Sequence, residues 1–230
     1  MAAAGSGERL GAGGPKAFVP VAGRPMVEWS IDAFRASDSV RSIVVAAPPG
    51  HVGDLGGHDL GVVEGGATRA QSVANALEAV GTEYVAIHDA ARPLLTPELV
   101  EALVADLDAS PEAAGVIAAA PVTDTVKRAV RNLSGQSSTD TVPNRPLAIE
   151  RTEDRSRLWG AQTPQVFRTE ALREALAAAE RPEEATDEAM LVEWNGGTVL
   201  IHPVEAENLK VTTPLDLRVA ELLLQSRSST

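Results

Sequence analysis

Residues 61–88 read Gly-Val-Val-Glu-Gly-Gly-Ala-Thr-Arg-Ala-Gln-Ser-Val-Ala-Asn-Ala-Leu-Glu-Ala-Val-Gly-Thr-Glu-Tyr-Val-Ala-Ile-His. Gly61–Val63 and Tyr84–His88 are short apolar runs, and Arg69–Val80 between them has helical period, so the stretch predicts one strand–helix–strand unit. The same alternation continues on both sides. Ser42–Ala47, Gly115–Ala120 and Thr198–Pro203 predict further strands; Met26–Ala36, Pro97–Ala109 and Leu215–Gln225 predict helices. Thr96 is the expected N-cap of the Pro97 helix, with Pro97 in its first position and Glu98 in its first turn. Strands that are continuously apolar belong to a sheet covered on both faces. Three such passes within the first 120 residues predict right-handed crossovers and a doubly wound, mostly parallel α/β sheet in a single domain spanning 1–230.

Two segments depart from this rhythm. Between Val122 and Ile149 the chain is polar and rich in turn residues (Asn132, Gly135, Pro143, Asn144, Pro146). It reads as a projecting hairpin arm over about 122–150, and an ordinary solvated loop fits the same residues. At the start, Met1–Ala4 is all that precedes the first glycine, fewer residues than the five or six or so of a usual strand. That first strand is therefore expected to be short, or the chain begins later than its ancestral form did.

Composition narrows the chemistry. Thirty-two acids against 20 bases give a net charge of −12, the wrong sign for a nucleic-acid surface. With no cysteine there are no disulfides, thiolate nucleophiles or cysteine-ligated metals. No run approaches the roughly eighteen apolar residues of a membrane helix, and no charged-then-apolar leader opens the chain. A soluble cytoplasmic protein is expected, its core built from Ala, Val, Leu and Ile because only seven residues are aromatic. Seventeen of the bases are Arg, and the three lysines are Lys16, Lys127 and Lys210.

The densest local signal is Gly5-Ser-Gly7-Glu-Arg9-Leu-Gly11-Ala-Gly13-Gly14-Pro15-Lys16. Glycine lets backbone N–H groups approach an anion, while Arg9 and Lys16 supply a planar fork and a point charge suited to a polyphosphate. It is not a Walker loop, because no Ser or Thr follows Lys16. A dinucleotide fingerprint is matched only partly, as Pro15 breaks the helix that should begin at the glycines. His88-Asp89 ends an apolar strand, where open α/β sheets bind ligands. Asp89 is thereby placed to accept a hydroxyl or sit near a metal, and Arg92 to grip a phosphate. His88 reads as structural, Lys127 as a strand-surface residue, and Thr186-Asp187-Glu188 as a helix start.

Six further clusters occur in order: Gly65-Gly66-Ala67-Thr68-Arg69-Ala70-Gln71-Ser72-Val73, His88-Asp89-Ala90-Ala91-Arg92-Pro93, Pro121-Val122-Thr123-Asp124-Thr125-Val126-Lys127-Arg128, Thr163-Pro164-Gln165-Val166-Phe167, Thr186-Asp187-Glu188-Ala189 and Asn208-Leu209-Lys210-Val211-Thr212. Together with the glycine-rich opening they resemble the 2-C-methyl-D-erythritol 4-phosphate cytidylyltransferase family, along essentially the whole chain. The resemblance implies a Rossmann-like fold of the nucleotide-diphosphosugar transferase type with a dimerisation arm. It implies cytidylyl transfer from CTP to a methylerythritol phosphate in the nonmevalonate isoprenoid pathway. Arg9, Lys16, Arg155 and Lys210 would be catalytic. Ala3, Ala4, Gly5, Gly7, Gly66 and Ser72 would hold the nucleotide. Asp89, Arg92, Thr125, Arg155 and Thr163 would hold the acceptor, with Arg155 crossing from the second subunit of a homodimer. Mg²⁺ would be held chiefly by the triphosphate, with Asp89 as a candidate ligand. Ala67 stands where the family often has Asp, which removes a side-chain contact to the base. Transfer to ribitol 5-phosphate or another alditol phosphate is the nearest alternative, and an inactive nucleotide-binding regulatory protein the more distant one.

Overall fold

Ala2 joins the two halves of the molecule. It bridges Ala46 on one side and Asp89 on the other, both in parallel. The computed structural model describes residues 1–5, 14–55, 60–130, 147–205 and 208–227. In chain order its strands are β1 (Pro20–Val21), β2 (Arg24–Pro25), β3 (Ile43–Ala47), β4 (Leu60–Glu64), β5 (Tyr84–Ile87), β6 (Gly115–Pro121), β7 (Lys127–Val130), β8 (Ala148–Thr152), β9 (Trp159–Arg168) and β10 (Val199–Pro203). Its helices are α1 (Met26–Arg35), α2 (Arg69–Leu77), α3 (Pro97–Asp108), α4 (Thr169–Ala178), α5 (Glu188–Trp194) and α6 (Pro214–Arg227). Across the molecule the main sheet runs β4–β3–Ala2–β5–β9–β6–β10.

The expected first strand is thus central and very short. Its ladder consists of Ala2 N–H to His88 O at 2.8 Å, Ala90 N–H to Ala2 O at 3.1 Å, Ala3 N–H to Ala46 O at 3.0 Å and Ala46 N–H to Met1 O at 2.9 Å. The parallel pairings β3–β4 and β6–β10 follow the sequence expectation. β9 does not, because it was not anticipated as a strand and runs antiparallel to both β5 and β6. Pro164 within it lacks a ladder donor, a feature that argues against a central strand. The structure accommodates this with a register shift, since pairing passes from Ile117–Gln165 to Ala119–Ala161.

Both faces of the sheet are covered, which is why its strands carry apolar residues at nearly every position. On one face α1 and α3 bury Ile31, Phe34, Val100 and Leu103 against Val45 and Val116. On the other, α2, α4 and α5 bury Val73, Leu77, Leu172 and Leu191 against Val85, Ile87, Ile117 and Phe167. α6 closes a third cluster with Val21, Met26, Leu94 and Val211. α4 was not anticipated; α5 follows the helix start read at Thr186-Asp187-Glu188. Thr96 caps α3 as expected, its side chain accepting from Leu99 N–H. The arm begins as an antiparallel ribbon, β7 with β8, from Lys127–Thr152 to Val130–Ala148; its residues 131–146 lie outside the described residues.

Gly115 shows how tightly β6 and β9 approach. A Cβ there collides with the Phe167 ring and stands 3.0 Å from the Val166 carbonyl oxygen. Both are fully buried, so neither yields cheaply. Gly115→Ala is expected to cost about 1–3 kcal/mol of stability. A urea titration showing less than about 0.5 kcal/mol would mean that this contact relaxes freely.

Candidate active site

The C-terminal ends of β3, β5 and the Ala2 strand open into a cavity of about 600 Å³. Its floor is the backbone of Ala3, Ala4 and Gly5, its rim includes Gly66 and Ser72, and Lys16, Arg69, Asp89 and Lys210 point charge at it. Local chain geometry brings these together. Lys16 N–H donates to Gly5 O at 3.0 Å, which holds Lys16 beside the cavity floor. Gly65 must lack a side chain, because a Cβ there would lie 2.5 Å from that of Ala4. Val211 N–H donates to Ala91 O at 2.8 Å, tying the Lys210 loop to the Asp89 turn. Asp216 accepts from Thr212 and Thr213, which fixes the rest of that loop and lowers its own pKa to about 2, first through the Thr212 hydroxyl.

Four charges run in series through the site. Lys210 Nζ lies 2.6 Å from one Asp89 oxygen, Arg69 Nε lies 3.0 Å from the other, and Arg69 Nη1 reaches both Glu188 oxygens at 2.6 Å. Burial works to raise the Asp89 carboxyl, but the Arg69 and Lys210 charges outweigh it and hold the group well below the usual carboxylate range. Glu188 is 1% exposed, and burial pushes its carboxyl upward against the pull of Arg69. The sequence did not single out the Arg69–Glu188 pair. The signal was an Arg opening a helix directly after Gly65-Gly66, but its partners stand 20 and 119 residues away.

Behind the site lies a buried polar chain. Asp89 N–H donates to Thr163 Oγ1 at 3.1 Å, and that oxygen is 3.0 Å from His88 Nδ1. His88 Nε2 lies 3.2 Å from Arg92 O, which can only accept. The proton therefore sits on Nε2, and the Thr163 hydroxyl donates to Nδ1. His88 is structural, as its position suggested, and complete burial lowers its pKa to about 3. Arg92 also belongs to this layer, since its Nη1 donates to Asn208 O at 2.6 Å and the residue is buried.

The expected site residues divide accordingly. Ala3, Ala4, Gly5, Lys16, Gly66, Ser72, Asp89 and Lys210 line one cavity, and Thr163 stands one hydrogen bond behind it. Arg92 does not line the cavity, although burial leaves its Nε without a partner. Thr125 is exposed at the base of the arm. Arg155 lines a separate shallow hollow with Thr123, Asp154 and Trp159, and its guanidinium donates to Thr123 O. Arg9 and Gly7 lie outside the described residues. The loop amides before α2 are engaged by the chain itself, Gly66 N–H by Ser72 Oγ at 3.0 Å and Ala67 N–H by Gln71 Oε1 at 3.0 Å.

His88 makes a pH-dependent contribution to stability. Its folded pKa is below the unfolded value of about 6.5, so in acid the unfolded chain takes up a proton that the folded chain refuses. The contribution is full above that pH and shrinks on acidification towards pH 3. The stability difference between the parent and His88→Asn should therefore narrow by about 1.4 kcal/mol per pH unit below about 6.5. Urea titrations at pH 7 and pH 5 that give the same difference would refute a neutral, buried His88.

Comparison with known proteins identifies the family. The family model described as IspD, 2-C-methyl-D-erythritol 4-phosphate cytidylyltransferase, matches residues 1–226. The protein of that name from Burkholderia multivorans is 40% identical over 233 residues, covering 96% of this chain and 92% of that one. Its counterpart from Frankia casuarinae is 43% identical over 228 residues, covering 96% and 79%. The crystal structure of the Thermus thermophilus protein superposes with a TM-score of 0.76 at 36% identity, covering 97% of each chain. With its phosphate-suited cavity at the carboxyl ends of a doubly wound sheet, this chain belongs to the 2-C-methyl-D-erythritol 4-phosphate cytidylyltransferase family.

Proposed function

We propose that this chain transfers a cytidylyl group from CTP to 2-C-methyl-D-erythritol 4-phosphate, giving 4-diphosphocytidyl-2-C-methyl-D-erythritol and pyrophosphate. The observation that carries this reading is the convergence of Lys16, Arg69 and Lys210 on one glycine-floored cavity whose lining, among the described residues, holds a single carboxylate, Asp89. A phosphate oxygen of the acceptor bonds to the α-phosphorus as the bond to the pyrophosphate oxygen breaks. Two polyanions must meet, so positioning and charge neutralisation supply most of the catalysis.

Lys16, with Arg9, stabilises charge that develops on the triphosphate. Lys210 aligns the α-phosphate with the attacking oxygen, and its contact with Asp89 holds it ready at the cavity wall. Ala3, Ala4, Gly5, Gly7 and Gly66 offer backbone groups to the nucleotide, and Ser72 orders the Gly66 loop. Asp89 stays ionised between its two cations and accepts from an acceptor hydroxyl.

Mg²⁺ fits the site mainly through the substrate. Among the described residues no group of three or more acidic or histidine side chains forms a metal cage, and Asp89 is the one protein carboxylate at hand. Bound there, the ion would neutralise phosphate charge.

The acceptor half of the site involves a second copy of the chain. Thr125 and Arg155 stand at the arm base, apart from the cavity. Leu147 and Ile149 on or beside β8 are 61% and 62% exposed, an apolar surface suited to a homodimer contact that carries Arg155 across. No helix among the described residues is long and apolar enough to cross a membrane, and the proposed location is the cytoplasm.

Pyrophosphate release from CTP should require methylerythritol phosphate, should fail with ribitol 5-phosphate and should stop in EDTA. Lys16→Ala should lower kcat by about 100-fold or more while leaving the melting temperature nearly unchanged. Turnover with the ribitol acceptor alone would overturn the proposed substrate, and near-normal turnover of the variant would remove the role of Lys16. Arg155→Ala should raise KM for the acceptor by about tenfold or more and leave KM for CTP within a factor of about two. An unchanged acceptor KM would separate Arg155 from the acceptor pocket.

A further inference from the structure

Glu188 is a carboxylate that the proposed reaction leaves without a task. It does not line the cavity and is 1% exposed, so it meets neither substrate nor solvent. Its place is nevertheless closely set. Asp187 caps α5 immediately before it, accepting from Met190 N–H at 3.0 Å. Gln165 of β9, itself buried, donates Nε2 to Asp187 Oδ2 at 2.9 Å and accepts from Ala189 N–H at 3.3 Å. The residues on both sides of Glu188 are thus tied to the main sheet, and the carboxylate between them is aimed at Arg69.

This aim decides how Arg69 uses its donors. A guanidinium beside a carboxylate commonly takes both oxygens in a fork. Arg69 does not do so with Asp89. Its Nε donates to Asp89 Oδ1 at 3.0 Å, while Nη1 is drawn to Glu188 at 2.6 Å. Asp89 Oδ2 is therefore left for Lys210, whose Nζ donates to it at 2.6 Å. Acids on two sides of one arginine keep it from closing on either the way a single partner would allow.

We propose that Glu188 is a positioning residue for Lys210: by holding Nη1 of Arg69 it keeps the fork from closing on both oxygens of Asp89, and the oxygen so spared seats Lys210 at the cavity wall. The part this plays in turnover rests on the proposed cytidylyl transfer; the placement of Lys210 does not. The charge of Glu188 is essential to the device. An amide in its place keeps the volume but turns N–H donors towards a guanidinium that also only donates. Arg69 then closes on Asp89, and Lys210 loses its seat without any change at a residue that touches substrate.

The scarcity of lysine makes this directly readable. With isotope-labelled lysine the chain yields three side-chain signals, from Lys16, Lys127 and Lys210. Lys210→Arg assigns the third, and Asp89→Asn marks where it lies once the contact is gone. Glu188→Gln should carry the Lys210 signal more than about half of the way to that mark and leave Lys127, whose Nζ meets Thr152 Oγ1 on the arm ribbon, in place. In cytidylyl transfer the same variant should lower kcat by about tenfold or more, with KM for CTP within a factor of about three. In an Asp89→Asn background it should change kcat by less than about twofold, because the route through Asp89 is already cut. A Lys210 signal that stays in place overturns the proposal, as does a further loss of about tenfold in the Asp89→Asn background. Should Glu188→Gln fail to fold, Arg69→Met with Glu188→Leu removes the buried pair together, an exchange that interiors tolerate. With no fork to capture Asp89, Lys210 should then keep its parent signal, and a move to the Asp89→Asn mark overturns the proposal. An inactive parent chain would strike the proposed reaction and leave the Lys210 signals to decide this inference.

Discussion

Everything in this molecule hangs on the double pairing of Ala2. Without it, β3 with β4 and β5 with β9, β6 and β10 are two separate sheets, because no other described ladder spans them. The same pairing has a chemical consequence. It fixes Ala3, Ala4 and Gly5 beside Asp89, so the backbone that floors the cavity is positioned by the bonds that close the sheet. Stability and site geometry therefore share one short segment. Any change that loosens the ladder, including crowding of Ala4 by a side chain at Gly65, acts on both.

The second constraint is electrostatic. A chain of net charge −12 is a poor host for a triphosphate when treated as a uniform sphere, yet binding is decided by the local arrangement. Lys210, Asp89, Arg69 and Glu188 alternate in sign, so the network is balanced without ligand and avoids an uncompensated buried charge. Glu188 engages Arg69 from the far side and leaves Asp89 shared by two cations. In the proposed reaction a polyphosphate that draws Lys210 from Asp89 leaves no unpaired acid, because Arg69 also holds the carboxylate. Two of the three lysines, Lys16 and Lys210, stand at the cavity, where the Arg69 fork is tied to two acids.

How much of this was legible in the sequence depended on the range of the interactions. The strands at Ile43–Ala47, Tyr84–Ile87 and Gly115–Pro121 carry their signal locally, as apolar runs that only a two-sided burial explains. The Thr96 cap is equally local. β9 was hidden because Pro164 argues against a strand, and the bulge of β9 that tolerates it, between Ala161 and Gln165, is defined only by pairing with the distant β6. Arg69 looked like a helix-opening residue until the fold brought Asp89 and Glu188 to it. Arg92 was read as facing a phosphate, and its position behind the cavity follows from the buried Asn208 carbonyl it meets. For β9 and for the Arg69–Glu188 pair the deciding partner was distant in sequence.

The division between cavity and arm follows from the same charge accounting. The cavity offers a limited set of cations, and Arg69 is already committed to two acids. On the proposed reading the triphosphate engages Lys16 and Lys210, which leaves little positive charge in this wall for a second phosphate. The acceptor therefore needs cations from elsewhere, and Arg155 stands apart in a hollow of its own beside Trp159. In the proposed homodimer a second copy supplies it, with the exposed Leu147 and Ile149 offered as contact surface. In the proposed homodimer, drawing cations from both chains gathers positive charge at the bond being made, while each monomer keeps its buried charges balanced.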